Sequence, residues 1–169
     1  MTRAIILCAL TQAAFARADE TPPPEIKKTV EALAGKWATE MTLTMPAQPP
    51  VKFKTTMDCR RIADGAAVQC SLRANVPGMG ILDETDIWAW EPESRVLHDI
   101  TINSWGEVHD HKGKWKDEHT AEFAHTATQA GKALEERETV TFHPPNQMEF
   151  TLTAKTPDGT TTFVGKARR

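Results

Sequence analysis

Apolar and polar residues alternate one by one along most of this chain, the period-two signature of strands with one buried face. From Trp37 to Met45, Trp37, Met41, Leu43 and Met45 share one face, while Ala38, Glu40, Thr42 and Thr44 share the other. Val51 to Cys59 repeats the pattern, with Val51, Phe53, Met57 and Cys59 set against Lys52, Lys54, Thr56 and Asp58. A third strand answers with Val68, Cys70 and Leu72. Turn signals then recur at Pro77-Gly78, Glu91-Pro92-Glu93-Ser94, Lys112-Gly113, Ala130-Gly131, Pro144-Pro145-Asn146 and Pro157-Asp158-Gly159. They bracket strand-like runs at 82–90, 95–103, 105–111, 119–128, 132–143, 148–155 and 160–168. A helical period appears ahead of the strands, where Glu25 to Ala34 carries Ile26, Val30 and Leu33, with Gly35 placed to end it. The pattern predicts an all-β domain over residues 25–169: about ten antiparallel strands in up-and-down order behind one short helix. A sheet of that length closes into a barrel, which removes its exposed edges.

Turn chemistry sets two registers. Asp64-Gly65 suits a type I′ hairpin, which needs positive φ at both central positions. Folding there places Ile62 opposite Ala67, Cys59 opposite Cys70, Met57 opposite Leu72 and Phe53 opposite Val76. Directly opposed strand residues lie roughly 4.5–5.5 Å apart at Cα, within disulfide range, so a Cys59–Cys70 bond is predicted. A second two-residue turn at Ala130-Gly131 places Ala127 opposite Leu134, His125 opposite Glu136, Phe123 opposite Glu138 and Ala121 opposite Val140.

The N-terminus adds an address. Arg3 begins a short positive region, Ala4 to Ala16 is mostly apolar, and Ala16-Arg17-Ala18 fits a signal-peptidase site, so residues 1–18 read as a signal peptide and 19–24 as an extended leader. Cleavage before Asp19 removes Cys8 and leaves the two hairpin cysteines, an even number suited to an oxidising compartment, periplasmic or extracellular. It also lowers Lys+Arg from 20 to 18 against 23 Asp+Glu, a formal charge of −5. That balance argues against nucleic acid as a partner. No segment is long and apolar enough for a membrane-spanning helix.

Gly35-Lys36-Trp37 resembles the Gly-x-Trp opening of the lipocalins, and with the preceding helix and an arginine at the end of the last strand the chain resembles the calycin superfamily. The resemblance implies that Trp37 closes one barrel end, that Gly35 precedes it and that Arg168 packs near it. From about Leu33 onward the chain is also similar to bacterial exported calycin-like domains of unknown function. The resembling pieces are Leu33 to Trp37, the Arg61-to-Gly65 turn, Ile87-Trp88 before Glu91-Pro92, and Gly113-Lys114-Trp115. Haem-binding relatives carry a glycine-rich extension after the first tryptophan and a late axial histidine. Here Ala38-Thr39-Glu40-Met41 follows Trp37 and no histidine follows His143.

The expected function is noncatalytic binding of a small, apolar molecule inside the barrel. Met41, Leu43, Phe53, Met57, Leu72, Phe150 and Leu152 are candidates for its wall, although the same residues suit a filled core equally. The face bearing Phe123, His125, Glu136 and Glu138 adds polar candidates if it points inward. His109 and His111 lie on the same side of one strand at a chelating spacing, with His98 on a neighbouring strand as a third metal ligand. These groups define the alternative of a metal-binding or enzymatic barrel. Trp88 and Trp90 share a face, and with Arg95 stacked on Trp90 they define a second alternative, a protein-interaction module. No nucleophile elbow, Walker loop, dinucleotide fingerprint or His-Glu-x-x-His motif is present, so no cofactor is assigned and no catalytic residue is named.

Overall fold

Ten antiparallel strands run up and down and close on themselves in a computed structural model that describes residues 23–169, so the predicted signal peptide, Cys8 and most of the leader lie outside the described residues. Helix α1 (Pro24–Leu33) is followed by β1 (Gly35–Thr44), β2 (Val51–Ile62), β3 (Ala67–Val76), β4 (Gly80–Glu91) and β5 (Val96–Asn103). The barrel continues through β6 (Val108–Trp115), β7 (Thr120–Gln129), β8 (Lys132–His143), β9 (Gln147–Thr156) and β10 (Gly159–Arg168), which pairs with β1. The first strand shows why closure works. Trp37, Thr39, Met41 and Leu43 are buried on the inner face while Lys36, Ala38 and Glu40 face solvent.

Both turn-derived registers hold. Asp64 and Gly65 take φ of 57° and 85°, as a type I′ turn requires, and the Ala66 N–H donates to the Ala63 carbonyl at 3.0 Å. Cys59 pairs with Cys70 and the two are disulfide-bonded. The predicted Phe53–Val76 pairing is not made, because the β2–β3 ladder stops at Thr56–Arg73. There the Thr55 hydroxyl donates to the Arg73 carbonyl at 2.8 Å and takes up a ladder acceptor.

The helix start and one turn differ from the reading of the sequence. The helix starts at Pro24, one residue earlier than the periodicity suggests, since a proline at the first helical position loses no intrahelical bond. Lys112-Gly113 is not a turn: both lie within β6, and Gly113 pairs with Leu97 and Phe123. A Cβ at Gly113 would collide with the Glu122 carbonyl oxygen and lie 2.5 Å from the Phe123 ring, so this glycine makes room for the β7 backbone and an aromatic side chain and does not break the strand. The chain turns instead at Lys116 to His119, where the Asp117 carboxylate accepts from the backbone N–H groups of His119 and Thr120, both at 2.8 Å.

The helix closes one end of the barrel. Ile26, Thr29, Val30 and Leu33 form its buried stripe, and Trp115 Nε1 donates to the Thr29 hydroxyl at 3.1 Å. Trp37 is buried and donates from Nε1 to the Leu33 carbonyl at 2.8 Å, which satisfies a C-terminal carbonyl of the helix. The arginine over Trp37 is Arg169, 4.2 Å from the ring centroid, and not Arg168. Ala167 faces inward, so alternation turns Arg168 out to solvent, while Arg169 leaves the strand and bonds the Ala32 carbonyl. No helix among the described residues is long and apolar enough to cross a membrane.

Candidate functional site

The barrel is hollow. A cavity of about 350 Å³ lies along its axis, within the range of small-molecule sites. Leu33 of α1 marks its closed end, and Met45, Met79, Trp105 and Gln129 lie toward the opposite rim, so the mouth faces away from the helix.

One side of the wall is apolar. Met41, Leu43, Met57, Leu72, Phe150 and Leu152, which from the sequence suited a cavity wall or a filled core equally, line the cavity, joined by Phe163 and Met148. Gly165 sits opposite Phe150, and a Cβ there would fall 2.1 Å from the ring, so the missing side chain lets Phe150 lie against β10. Two candidates lie elsewhere. Phe53 is buried in the core beside Met41 without lining the cavity, and Phe123 packs edge-on against Trp88 with ring centroids 4.7 Å apart. Trp88 is therefore a core residue, and Trp90 makes no cation–π contact with Arg95 among the described residues.

The other side is acidic. Glu84, Asp86, Asp99, Glu107, Glu136 and Glu138 line the cavity, and among the described residues no lysine or arginine does. The cross-strand registers bring them together: Asp86 lies opposite Thr101, Trp88 opposite Asp99, and Asp99 opposite His111. Burial dominates the protonation of Glu84, Asp86, Asp99 and Glu138. It raises Asp86 to about 6, against the Thr101 hydroxyl that donates to it at 2.9 Å, and it raises Glu138 to about 7, against the charge of His111. Burial and the charge of Asp86 push Glu84 well above the carboxylate range, and burial with the charge of Glu138 does the same to Asp99.

Glu136 behaves differently. Burial pushes its pKa up, yet the hydrogen bond from His111 and the charges of His109, His111 and His125 hold it below the ordinary glutamate value. One oxygen, Oε2, meets His109 Nδ1 at 2.8 Å and His111 Nε2 at 3.1 Å. His111 is raised: burial lowers it, but Glu136 and Glu138 outweigh that effect. His125 lies opposite Glu136 as predicted but does not line the cavity. It stacks on His109 with centroids 4.9 Å apart, and its Nδ1 donates to the Asp110 carbonyl at 3.1 Å.

The inward orientation of the β7–β8 face, left open by the sequence, is thus resolved by the burial of Phe123, Glu136, Leu134 and Val140. The two histidine groups read separately from the sequence form one cluster of His109, His111, His125 and Glu136. His98 is not part of it. Leu97 and Asp99 face inward, so alternation turns His98 outward, where Nδ1 meets Asp110 at 2.8 Å. Glu84, Asp86 and Asp99 escaped the sequence reading, although Glu84 and Asp86 share their parity with Leu82 and Trp88.

A closed antiparallel barrel with one helix across its end and an axial cavity has the lipocalin-like, calycin-type fold. Within that class, the chain belongs to the family described as Protein of unknown function (DUF1579), whose model matches residues 22–167. Its fold is similar to that of the S-type phycobiliprotein lyase CPES from Guillardia theta, with a TM-score of 0.61 and 13% identity over 86% of this chain and 92% of that one. It is likewise similar to Rv2717c from M. tuberculosis, with a TM-score of 0.63 and 11% identity over 88% and 99% of the two chains. At these identities the likeness is one of fold. No curated protein matches this chain.

Proposed function

We propose that this protein is an exported binder of a small amphipathic molecule that carries a cationic or hydrogen-bond-donating head. The observation behind this reading is the composition of the cavity wall: six carboxylates with His109 and His111 and, among the described residues, no lysine or arginine on one side, and methionine, leucine and phenylalanine on the other. An unpaired buried carboxylate is costly unless a proton, a cation or a donor accompanies it. A ligand with an amine or amidine end supplies that partner, and its apolar body gains from burial against Met41, Met57, Leu72 and Phe150. The sequence pointed to a small apolar ligand; the carboxylates favour a polar end as well. Export is supported by the Cys59–Cys70 bond, which persists in an oxidising compartment.

A thermal-shift panel of alkyl and aryl amines, each beside its matched alcohol and carboxylic acid, tests the reading. A ligand at one hundred times its dissociation constant stabilises by about 2.7 kcal/mol, about 5–10 °C for a domain of this size. The amines are expected to stabilise most and Glu84→Gln to diminish the shift. Equal or larger shifts with the acids would contradict the proposal.

A further inference from the structure

The geometry points to a metal site on the inner wall of the barrel, in which His109, His111 and Glu136 hold one divalent first-row transition ion such as zinc.

His109 and His111 are two residues apart on β6, so strand alternation sends both imidazoles inward. Glu136 reaches them from β8, on the far side of β7. The ladder between β6 and β7 ends at Lys112–Ala124, so His109 and His111 pair with Thr101 and Asp99 of β5 but with no residue of β7, and the rings of His109, His111 and His125 gather beside Glu136. One nitrogen from each of the two histidines and one oxygen of Glu136 all lie within 4.8 Å of one another. Bonds of about 2.0–2.2 Å to an ion among them require only a small adjustment from that spacing. Imidazole nitrogen with one carboxylate oxygen is a donor set suited to zinc, copper, iron or nickel, and unlike the all-oxygen sets of calcium and magnesium.

The surroundings supply a second line of support. His111 is 2% exposed and its Nδ1 has no hydrogen-bond partner. Nor has the buried Nε2 of His125. Because His125 Nδ1 donates to a carbonyl, that Nε2 bears a lone pair in the neutral ring, the tautomer fixed by a backbone acceptor that metal-binding histidines show. His125 is therefore the next available donor. Buried polar groups without partners are rare in proteins, and two of them fall in this one cluster. Three protein ligands leave coordination positions open, and His109, His111 and Glu136 all line the cavity, so an incoming molecule has access to the ion.

Untagged protein stripped with a chelator and titrated with zinc chloride alone tests the site, with no organic ligand present, so the outcome is independent of the amine-binding reading. One ion per chain is expected by elemental analysis. Cobalt chloride should give the intense visible absorption of a four- or five-coordinate centre, and histidine ring nitrogens should shift in NMR spectra of the unmutated protein. His109→Ala and Glu136→Gln should weaken zinc binding by more than about a hundredfold, beyond what outer partners usually cost, while the outward His98→Ala leaves it unchanged. Because Glu136→Gln preserves side-chain shape, it serves where the alanine variant fails to fold. Absence of stoichiometric binding, a pale six-coordinate cobalt spectrum, or zinc affinity unaffected by Glu136→Gln would each overturn the proposal.

Discussion

Asp86 shows at the level of one side chain how the cavity shapes its own chemistry. Its carboxyl is raised to about 6, mainly by burial. The folded protein therefore holds this proton more tightly than the unfolded chain, whose aspartates ionise near about 3.9. The stabilising contribution is fully present below about pH 4 and is lost as pH rises through about 6. Asp86→Asn, which keeps an oxygen for the Thr101 hydroxyl, should match the wild type most closely at pH 4, gain on it as pH rises to about 6 and level off above that in urea unfolding. A stability difference that stays flat across that range would show that Asp86 is solvated and ionised throughout. The same sign applies to Glu84, which is also raised by burial.

Strands and turns were largely legible in the sequence, and the reasons are local. Asp64-Gly65 and Ala130-Gly131 take positive φ, so their turn chemistry set two hairpin registers. Gly113 misled because its role is set by the ring of Phe123 on the next strand, which no local pattern reveals. The histidine–glutamate cluster was legible only in halves. His109 and His111 show their shared face through parity, but their meeting with Glu136 depends on how β6, β7 and β8 pack. The acidic wall was missed for a related reason: a carboxylate in an alternating strand reads as solvent-facing, and parity with Trp88 was the available counter-signal. At this scale the disulfide gives a direct prediction. It closes a short loop, with a sequence separation of 11, so Cys59→Ser with Cys70→Ser should cost about 3 kcal/mol in chemical unfolding. A loss below about 0.5 kcal/mol would mean that the type I′ turn and the ladder alone hold β2 to β3.

As a whole, the molecule separates its tasks along the barrel axis. The α1 end is sealed by Trp37, Arg169 and Trp115, and the opposite end opens to a cavity with an apolar side and an acidic side. Closure makes this division possible, because every strand contributes alternate residues to one interior and the ten strands can differ in what they bring. Beyond Met1, all five methionines, Met41, Met45, Met57, Met79 and Met148, line that interior. They give the central claim its most direct measurement, an NMR titration of protein labelled with carbon-13 at the methionine methyls, using an alkyl amine and its matched carboxylic acid. Binding inside the barrel predicts that the amine shifts Met41, Met57 and Met148, deep in the wall, to saturation at one molecule per chain, and that the acid leaves them in place. Methyls unmoved by the amine, or a response confined to Met79 at the rim, would contradict it.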